Sequence, residues 1–363
     1  MKNSLGTSVI LTLFGESHGP EIGAVLDGLA PGIPVDESYI ADQLAKRRPQ
    51  GPTDTARREP DPFRIVSGVF NGKTTGAPLT ILIPNEDTRS ADYAKNYGFA
   101  RPSHADYAAH VKYHGFEDWR GGGHFSGRIT AALVAVGAVA LTALRAKGIR
   151  IGTHILFLGP KTDRPFDDIV RDIDALEGKD FPVLFDPVRE KMEEYILAAR
   201  SEQDSVGGVI ETAVTGLEAG LGEPWFDALD SVLARALFSI GGIKGVEFGA
   251  GFALSAMKGS QANDPLCLED GQVRTRTNRS GGITGGLSNG MPLRFQCAVK
   301  PTPSIARPQQ TVNFLTGEEA TLTLIGRHDP AIVRRICPVV TSLTAIVLCD
   351  QLALRHGTDY LKG

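Results

Sequence analysis

The stretch RGGGHFSGRITAALVAVGAVALTALRAK, residues 120–147, joins a glycine-rich turn to a long apolar segment. The 16 residues between Arg128 and Arg145 carry no charge, which is fewer than the ~20 needed to cross a bilayer. They would be apolar on every side of a helix, so the pattern predicts a buried core helix from about Ser126 to Lys147 rather than a membrane span. Backbone N–H groups at the start of such a helix would suit an anion.

The patterns on either side of this helix mix helices and strands without a strict alternation. Asp36 is placed to cap a helix that ends near Arg48, with Ile40 and Leu44 on one face. Further helices are predicted after Asp186-Pro187, near Trp225, and from Asp329-Pro330 past Asp350. Strand-like runs occupy 9–14, 64–70, 79–83, 151–157, 208–215, 246–254, 292–299 and 320–325. No linker or internal repeat divides the chain, so we expect one α+β domain over residues 1–363, with helices packed on antiparallel sheets.

The composition is that of an ordinary globular protein. The 363 residues carry 38 Lys+Arg against 42 Asp+Glu, a net charge of −4, and 42% are hydrophobic. These values exclude a disordered chain and argue against a nucleic-acid-binding protein, which would carry a basic excess. The four cysteines form no CxxC pair, and the apolar run Val9–Phe14 leads into GESHG rather than a cleavage site. We therefore expect reduced thiols and a cytoplasmic location.

Glycine is the unusual component, with 42 of 363 residues against a usual share of about 7%. Gly-rich or polar clusters occur at GESHG (15–19), RGGGHFSGR (120–128), SIGGIKG (239–245), GGITGGLSNG (281–290) and KPTPS (300–304). They are either turns and helix caps or places where the backbone approaches a ligand closely. The stretch SGVFNGKT (67–74) has Ser67 where a P-loop needs glycine, so it predicts a strand and a turn rather than a nucleoside-triphosphate site.

Arginine is locally dense although the net charge is negative. The cationic residues that cluster or flank the glycines are Lys46, Arg47, Arg48, Arg57, Arg58, Arg64, Arg101, Arg120, Arg128, Arg327, Arg334 and Arg335. Guanidinium groups bind phosphate and carboxylate through paired hydrogen bonds and stay charged when buried. A polyanionic small molecule therefore fits this set better than a nucleic acid does. A solvated surface, with Glu59 and Asp61 as partners for some arginines, is the alternative.

Two histidines, His18 in GESHG and His104 in RPSHADY, lie in polar turns where an imidazole would be accessible. Either could donate a proton to a leaving group near neutral pH, and a structural role is the alternative. His110 and His114 are spaced to share a helical face, but HVKYH lacks the glutamate of an HExxH motif. We therefore expect no metal site.

The order of these motifs resembles that of the chorismate synthase family over essentially the whole chain. The matching segments are FGESHG (14–19), RRP (47–49), RREPD (57–61), SGVFNGKTTGAP (67–78), RPSHADY (101–107), RGGGHFSGR (120–128), DSVGG (204–208), GLGEPWFDALDSVLARAL (220–237), KGVEFGAGF (244–252), GGITGGLSNGMP (281–292), KPTPSI (300–305), RHDP (327–330) and CDQLALR (349–355).

The resemblance implies a helical layer between two antiparallel sheets and a homotetramer. It also implies the conversion of 5-enolpyruvylshikimate 3-phosphate to chorismate and phosphate, the last step of the shikimate pathway. That reaction is a 1,4-anti elimination that requires reduced FMN without net redox change. The flavin would be reduced ultimately by NADPH, through an external flavin reductase. The alternative is a flavin-dependent oxidoreductase that acts on an anionic small molecule.

The resemblance also assigns roles to individual residues. His18 would be the proton donor near the departing phosphate, and His104 would lie beside flavin N1. Asp350 would move a proton from flavin N5, with Ser17 and Ser126 supporting this relay. The arginines expected to bind the substrate phosphate and carboxylates are Arg47, Arg48, Arg101, Arg128 and Arg335.

For the flavin, the resemblance points to His124, Phe125, Ser126, Gly241, Gly242, Gly285, Lys300, Pro301, Thr302, Pro303, Ser304 and Arg327. The departures from the more usual family pattern are His124 for Arg, Phe125 for Ser, Ile129 for Glu, Ser103 for Gly, Gln351 for His and Arg334 for Pro. A histidine near the flavin carries positive charge only when it is protonated, whereas an arginine carries it always.

Overall fold

Two antiparallel five-stranded sheets enclose a layer of helices in the structure, a computed structural model that describes residues 2–55, 60–86, 96–324 and 329–362. The first sheet has the strand order β1-β2-β3-β7-β4, with bounds Ser4–Leu5, Ile10–Gly15, Glu21–Asp27, Leu79–Pro84 and Arg64–Ser67. The second has the order β11-β16-β10-β8-β9, with bounds Ile243–Phe248, Leu293–Val299, Gly208–Thr215, Arg150–Leu158 and Lys161–Thr162. The α+β class and the layered arrangement predicted from the sequence are confirmed.

Small hairpins and helices complete the described part of the chain. The hairpin strands are β5 (Val69–Phe70), β6 (Lys73–Thr74), β12 (Leu266–Glu269), β13 (Gln272–Thr275), β14 (Ile283–Thr284), β15 (Leu287–Ser288), β17 (Gln309–Asn313) and β18 (Glu318–Leu322). The helices are α1 (Glu37–Arg47), α2 (Asp106–Tyr113), α3 (Thr130–Ala146), α4 (Ile169–Leu176), α5 (Pro187–Ser201), α6 (Leu229–Leu237), α7 (Gly259–Ala262) and α8 (Val333–His356).

The central layer is formed by α1, α3 and α8. Helix α3 packs on strands β3 and β7 of the first sheet, while α8 packs on β8 and β10 of the second. The two helices cross closely at Gly137, where an added Cβ would lie only 2.4 Å from the Cβ of Ser342. The apolar helix predicted from the sequence is therefore the centre of the core, and the glycine within it is a packing residue.

Two segments, Gly127–Ala146 and Val333–His356, match membrane spans in length and apolar character. Their most apolar windows are 78% and 94% buried inside the fold. Core packing between the two sheets accounts for their composition, because a core helix needs apolar residues on all sides.

The helix predictions are confirmed in most places. Asp36 caps α1 by accepting hydrogen bonds from the backbone N–H groups of Ser38 and Tyr39. The segment after Asp186-Pro187 is α5, and the region near Trp225 is a short 3₁₀ turn followed by α6. The predicted cap at Asp329 is wrong: α8 begins at Val333 and has no side-chain cap. The carboxylate of Asp329 is bonded to Arg335 instead.

The strand predictions are incomplete in several places, and the clearest differences are in β11 and β3. The run 246–254 ends as a strand at Phe248, because positive φ angles at Gly249 and Gly251 turn the chain into a 3₁₀ segment. Strand β3, a central and buried strand, was not predicted. Its Gly23 interrupts the apolar pattern, yet the glycine is needed because a Cβ there would lie 2.3 Å from the ring of Phe14.

Candidate active site

A cavity of about 660 Å³ opens beside the glycine-rich turn 120–125 and the N-terminal end of α8. Most of the residues that the sequence analysis selected lie on its wall. They are His18, Arg47, Arg101, His104, His124, Phe125, Ser126, Arg128, Gly241, Thr302, Ser304 and Arg335. These residues come from separate parts of the chain, and the fold brings them together at one concave surface.

The glycine turn holds the two histidines close to one another. Gly121 and Gly122 have φ angles of 59° and 84°, which L side chains adopt only with strain. A Cβ at Gly121 would lie 2.4 Å from the His18 ring, and a Cβ at Gly122 would lie 3.3 Å from the His104 ring. His124 secures the turn by donating from Nδ1 to the carbonyl of Gly15 at 2.8 Å. The glycines are therefore required for the close approach of both imidazoles.

His104 belongs to a hydrogen-bonded group with Arg101 and Asp106. Its Nδ1 lies 3.1 Å from Asp106 Oδ1, and Arg101 donates to the same carboxylate at 2.8 Å and 2.6 Å. Burial alone would raise the pKa of Asp106, but the bonds from Arg101 and His104 outweigh it and hold that pKa well below its usual range. The carboxylate stays ionised and fixes both neighbours.

Arg47, Arg48 and Arg128 converge on Asp61, whose side chain has no exposed surface. The distances to Asp61 Oδ2 are 3.6 Å from Arg47 Nη1 and 3.7 Å from Arg48 Nε, and Arg128 bonds Oδ1 directly. The buried carboxylate of Asp61 therefore draws the three guanidinium groups together. Arg48 itself is not on the wall of the cavity. Asp61 was considered from the sequence only as a surface partner.

Asp329, like Asp106, is a site residue that the sequence analysis missed. It lies on the cavity wall, is only 9% exposed, and is bonded to Arg335. Its Oδ1 is buried and accepts no hydrogen bond from the part of the chain that the structure describes. Burial raises the pKa of Asp329, although the charge of Arg335 opposes the shift. A carboxyl group with a raised pKa and an unused oxygen is suited to proton transfer. The sequence feature that could have identified Asp329 is the RHDP motif, in which Asp329 is predicted to be a helix cap.

Asp350 does not join the cavity. Its carboxylate accepts hydrogen bonds from the backbone N–H groups of Thr7, Ser8 and Val9 at 3.0, 2.6 and 2.8 Å. Val339 is the cavity residue furthest along α8, and Asp350 lies about 16 Å beyond it at ~1.5 Å per residue. The proton-relay role expected for Asp350 does not fit this position, because its oxygens are already occupied in holding the N-terminal segment.

Several other predicted residues lie behind the cavity wall rather than on it. Ser17 would be 2.8 Å from a Cβ at Gly121, and Lys300 donates to the carbonyl of Ser103 at 2.6 Å. The backbone carbonyl of Gly242 accepts from the N–H of Lys300. The remaining predicted residues that do not line the cavity are Gly285, Pro301 and Pro303. Arg327 falls outside the described residues.

The features that would hold a flavin are a flat apolar face and polar atoms without partners. Phe125 is 47% exposed on the wall, and a Cβ at Gly241 would meet nothing within 4 Å. The hydroxyl of Thr302 is buried and has no hydrogen-bond partner among the described residues. These residues fit an aromatic, hydrogen-bonding cofactor such as FMN.

The possible histidine pair at 110 and 114 is not formed. Helix α2 ends at Tyr113, and His114 follows it with φ 57°, so the two rings do not share a helical face. His110 instead has its Nδ1 3.1 Å from Glu117. The described residues contain no group of three or more His, Cys, Asp or Glu side chains that could hold a metal ion.

The combination of an arginine-rich cavity, two histidines and a buried carboxyl group defines an enzyme site for a multiply charged small anion. The sequence profile described as chorismate synthase matches residues 9–353. The chain is 46% identical over 358 residues to the chorismate synthase of Methanocella arvoryzae, covering 96% of this chain and 94% of that protein. It is 45% identical over 363 residues to the enzyme of Aeropyrum pernix, covering 98% and 94%.

A solved structure described as a crystal structure of chorismate synthase superposes with a TM-score of 0.76 at 28% identity. The match covers 98% of this chain and 94% of that one. The chain belongs to the chorismate synthase family.

Proposed function

We propose that the protein converts 5-enolpyruvylshikimate 3-phosphate to chorismate and inorganic phosphate, the last step of the shikimate pathway. The reaction is a 1,4-anti elimination without net redox change, which makes the enzyme a carbon–oxygen lyase that acts on phosphates. The observation that carries the proposal is the placement of His18, His104, Asp329 and four arginines around one cavity. Family membership supports the same reaction.

The arginines would bind the three anionic groups of the substrate. Arg47, Arg128 and Arg335 lie on one side of the cavity with buried carboxylates beside them, and Arg101 lies with His104. Guanidinium groups bind phosphate through paired hydrogen bonds, and they stabilise the charge that develops on the leaving phosphate. His18, next to Gly121, is the proposed proton donor to that phosphate.

Reduced FMN, when bound, would supply an electron to the substrate transiently and recover it at the end of the reaction. The residues proposed to hold it are His124, Phe125, Gly241, Thr302 and Ser304, which share the cavity wall. His104, fixed by Asp106, would keep a proton beside the flavin ring. Exclusion of water and oxygen from the occupied cavity would protect the reduced cofactor.

Asp329 is proposed to take the proton-moving role that the sequence assigned to Asp350. Its buried Oδ1 has no partner among the described residues, and burial raises its pKa. Both properties suit a group that gains and loses a proton during the reaction. Ser126, on the same wall, would support the positioning of the reacting groups.

The proposal also includes the assembly, the location, the domain organisation and the source of reduced flavin. We propose a homotetramer in the cytoplasm, one domain over the whole chain, and flavin reduced by an external NADPH-dependent reductase. A continuous hydrophobic core that includes residues of both sheets and of α1, α3 and α8 supports the single domain. Sedimentation analysis of the purified protein tests the oligomeric state.

An anaerobic assay tests the reaction. Purified protein is mixed with chemically reduced FMN and 5-enolpyruvylshikimate 3-phosphate, and chorismate is followed by its absorbance. We expect many turnovers for each flavin and no product when flavin is omitted. An absence of chorismate would refute the proposal. Net oxidation of the reduced FMN in proportion to the substrate would instead support the flavin-dependent oxidoreductase considered from the sequence.

A further inference from the structure

The C-terminal end of α1 carries Arg47, the first arginine of the proposed substrate site. Arg47 is the last residue of the helix, and Arg48 follows with φ −66° and ψ 155°. The last carbonyl groups of any α-helix lack partners within the helix. Here they are not completed by a glycine cap, so the direction in which Arg47 and Arg48 leave the helix depends on other donors.

Two adjacent arginines at the start of α8 supply those donors. Arg334 donates from Nη1 to the carbonyl of Lys46 at 3.1 Å and from Nη2 to the carbonyl of Arg48 at 2.6 Å. Arg335 donates from Nε to the intervening carbonyl of Arg47 at 2.8 Å. Three consecutive carbonyls at the end of α1 are therefore held by one edge of α8.

Arg334 also closes the loop that follows. Its Nη2 lies 2.6 Å from Asp54 Oδ2, with both side chains at most 5% exposed. The same Asp54 oxygen accepts the backbone N–H of Gln50 at 2.8 Å. Bonds that join ionised, buried groups are short and strong, and they fix the segment from Lys46 to Asp54 against α8.

Arg334 does not line the cavity, whereas its neighbour Arg335 does. The more usual residue of the family at this position is proline, which suits the first turn of a helix because no N–H is required there. Arg334 is the second residue of α8, so helix formation alone does not call for an arginine. The side chain of Arg334 therefore has a role other than helix formation.

We propose that Arg334 is a positioning residue that sets the backbone from which Arg47 reaches the substrate phosphate. The inference rests on the proposed function, since it names the group that Arg47 binds. The side chain of Arg47 is already fixed at its far end by bonds to Thr130 and to the carbonyl of Gly127, each at 2.9 Å. Loss of the Arg334 contacts would release the near end and misplace the guanidinium group of Arg47.

The test compares Arg334→Ala, Arg334→Lys and a matched core variant, Met192→Ala, in the anaerobic assay. Met192 is fully buried in α5 and is not on the cavity wall. We expect Arg334→Ala to raise KM for the phosphorylated substrate about tenfold, with kcat changed by less than about threefold. Arg334→Lys keeps the charge beside Asp54 but cannot reproduce the planar contacts, so KM should still rise about threefold. Met192→Ala should lower Tm and leave KM unchanged.

A KM within twofold of wild type in both Arg334 variants, with only a fall in Tm, would overturn the proposal and leave a purely structural role. If Arg334→Ala does not fold, Arg334→Lys decides the question alone. The binding of inorganic phosphate, measured by calorimetry, gives a readout that does not need turnover. A wild-type protein that makes no chorismate would refute the proposed function, while weaker phosphate binding by the Arg334 variants would still support the positioning role.

Discussion

Asp329 lies just before α8, and Asp350 lies in the C-terminal half of that helix. The two carboxyl groups have opposite surroundings. Both are largely buried, with 9% and 7% of their surface exposed. Asp350 accepts bonds from three successive backbone N–H groups of the N-terminal segment. Asp329 is bonded to Arg335, and its buried Oδ1 accepts no hydrogen bond from the described residues.

The difference separates a structural carboxylate from a reactive one. A buried carboxylate whose oxygens are satisfied by backbone donors contributes to stability and has no capacity left for a substrate. A buried carboxyl group with an unused oxygen and a raised pKa is kept in an unfavourable environment, which is typical of proton-transfer sites. The cavity end of α8 is therefore the functional end, and the Asp350 end anchors the first sheet.

The largest effect is expected for Asp329→Asn. The variant keeps the shape of the side chain but cannot exchange a proton, so kcat should fall by about 10²–10⁴. Anaerobic turnover with reduced FMN measures the change, and flavin binding should stay within a few-fold of wild type. A variant with near-normal kcat would show that Asp329 is only a partner of Arg335.

His104→Ala should lower kcat by about 10² through loss of the imidazole beside the proposed flavin position. The variant leaves the bidentate contact between Arg101 and Asp106 intact, so substrate affinity should change little. The ratio of the effects on kcat and KM distinguishes a role in catalysis from a role in substrate binding. A rise in KM with unchanged kcat would assign His104 to substrate binding instead.

Asp350→Ala should affect stability rather than chemistry. It leaves the backbone N–H groups of Thr7, Ser8 and Val9 without their acceptor, which should lower the free energy of unfolding by about 2–4 kcal/mol. Chemical denaturation measures the loss, and kcat of the folded enzyme should remain normal. If Asp350→Ala stays stable but its kcat falls, Asp350 is a reactive carboxyl group rather than a structural one.

The sequence predicted the architecture and most of the cavity because local patterns and ordered motifs carry that information. The buried α3 and the clusters around His18, His104 and Gly121 could be recognised along the chain. The choice between Asp329 and Asp350 could not, since both stand in polar segments and only the fold shows which oxygens are satisfied. Asp61 was undervalued for the same reason: its three arginine partners come from two separate segments, the end of α1 and the turn before α3.

A third buried group of opposite charges surrounds His154, and it tests whether such a group contributes to stability alone. His154 on β8 has no exposed surface and lies 3.2 Å from Asp163 and 3.0 Å from Glu211. Burial alone would lower the pKa of His154, but the bonds to Asp163 and Glu211 outweigh it and raise the pKa. The cluster is remote from the cavity wall, so it should affect unfolding and not turnover.

Because the folded pKa of His154 lies above the unfolded value of about 6.5, its contribution is complete below that pH. The contribution is lost as the pH rises through the folded pKa, by about 1.4 kcal/mol for each pH unit between the two values. Unfolding free energies measured from pH 6 to 9 should fall in wild type and fall less in His154→Gln. Equal slopes in both proteins would show that His154 does not contribute to the pH dependence of the unfolding free energy.

The smallest effect is expected for Ser103→Gly. Ser103 comes just before His104 of the cavity wall and has a strained backbone conformation. Its φ of 57° is a left-handed conformation that costs a non-glycine residue about 1 kcal/mol. Glycine adopts this conformation freely but also gains freedom in the unfolded chain, so Ser103→Gly should raise stability by at most about 1 kcal/mol. Thermal unfolding measures the change, and kcat should be unaltered because the Ser103 carbonyl, which accepts from Lys300, is retained. A clear loss of stability would show that the Ser103 side chain, and not its backbone conformation, is what the site uses.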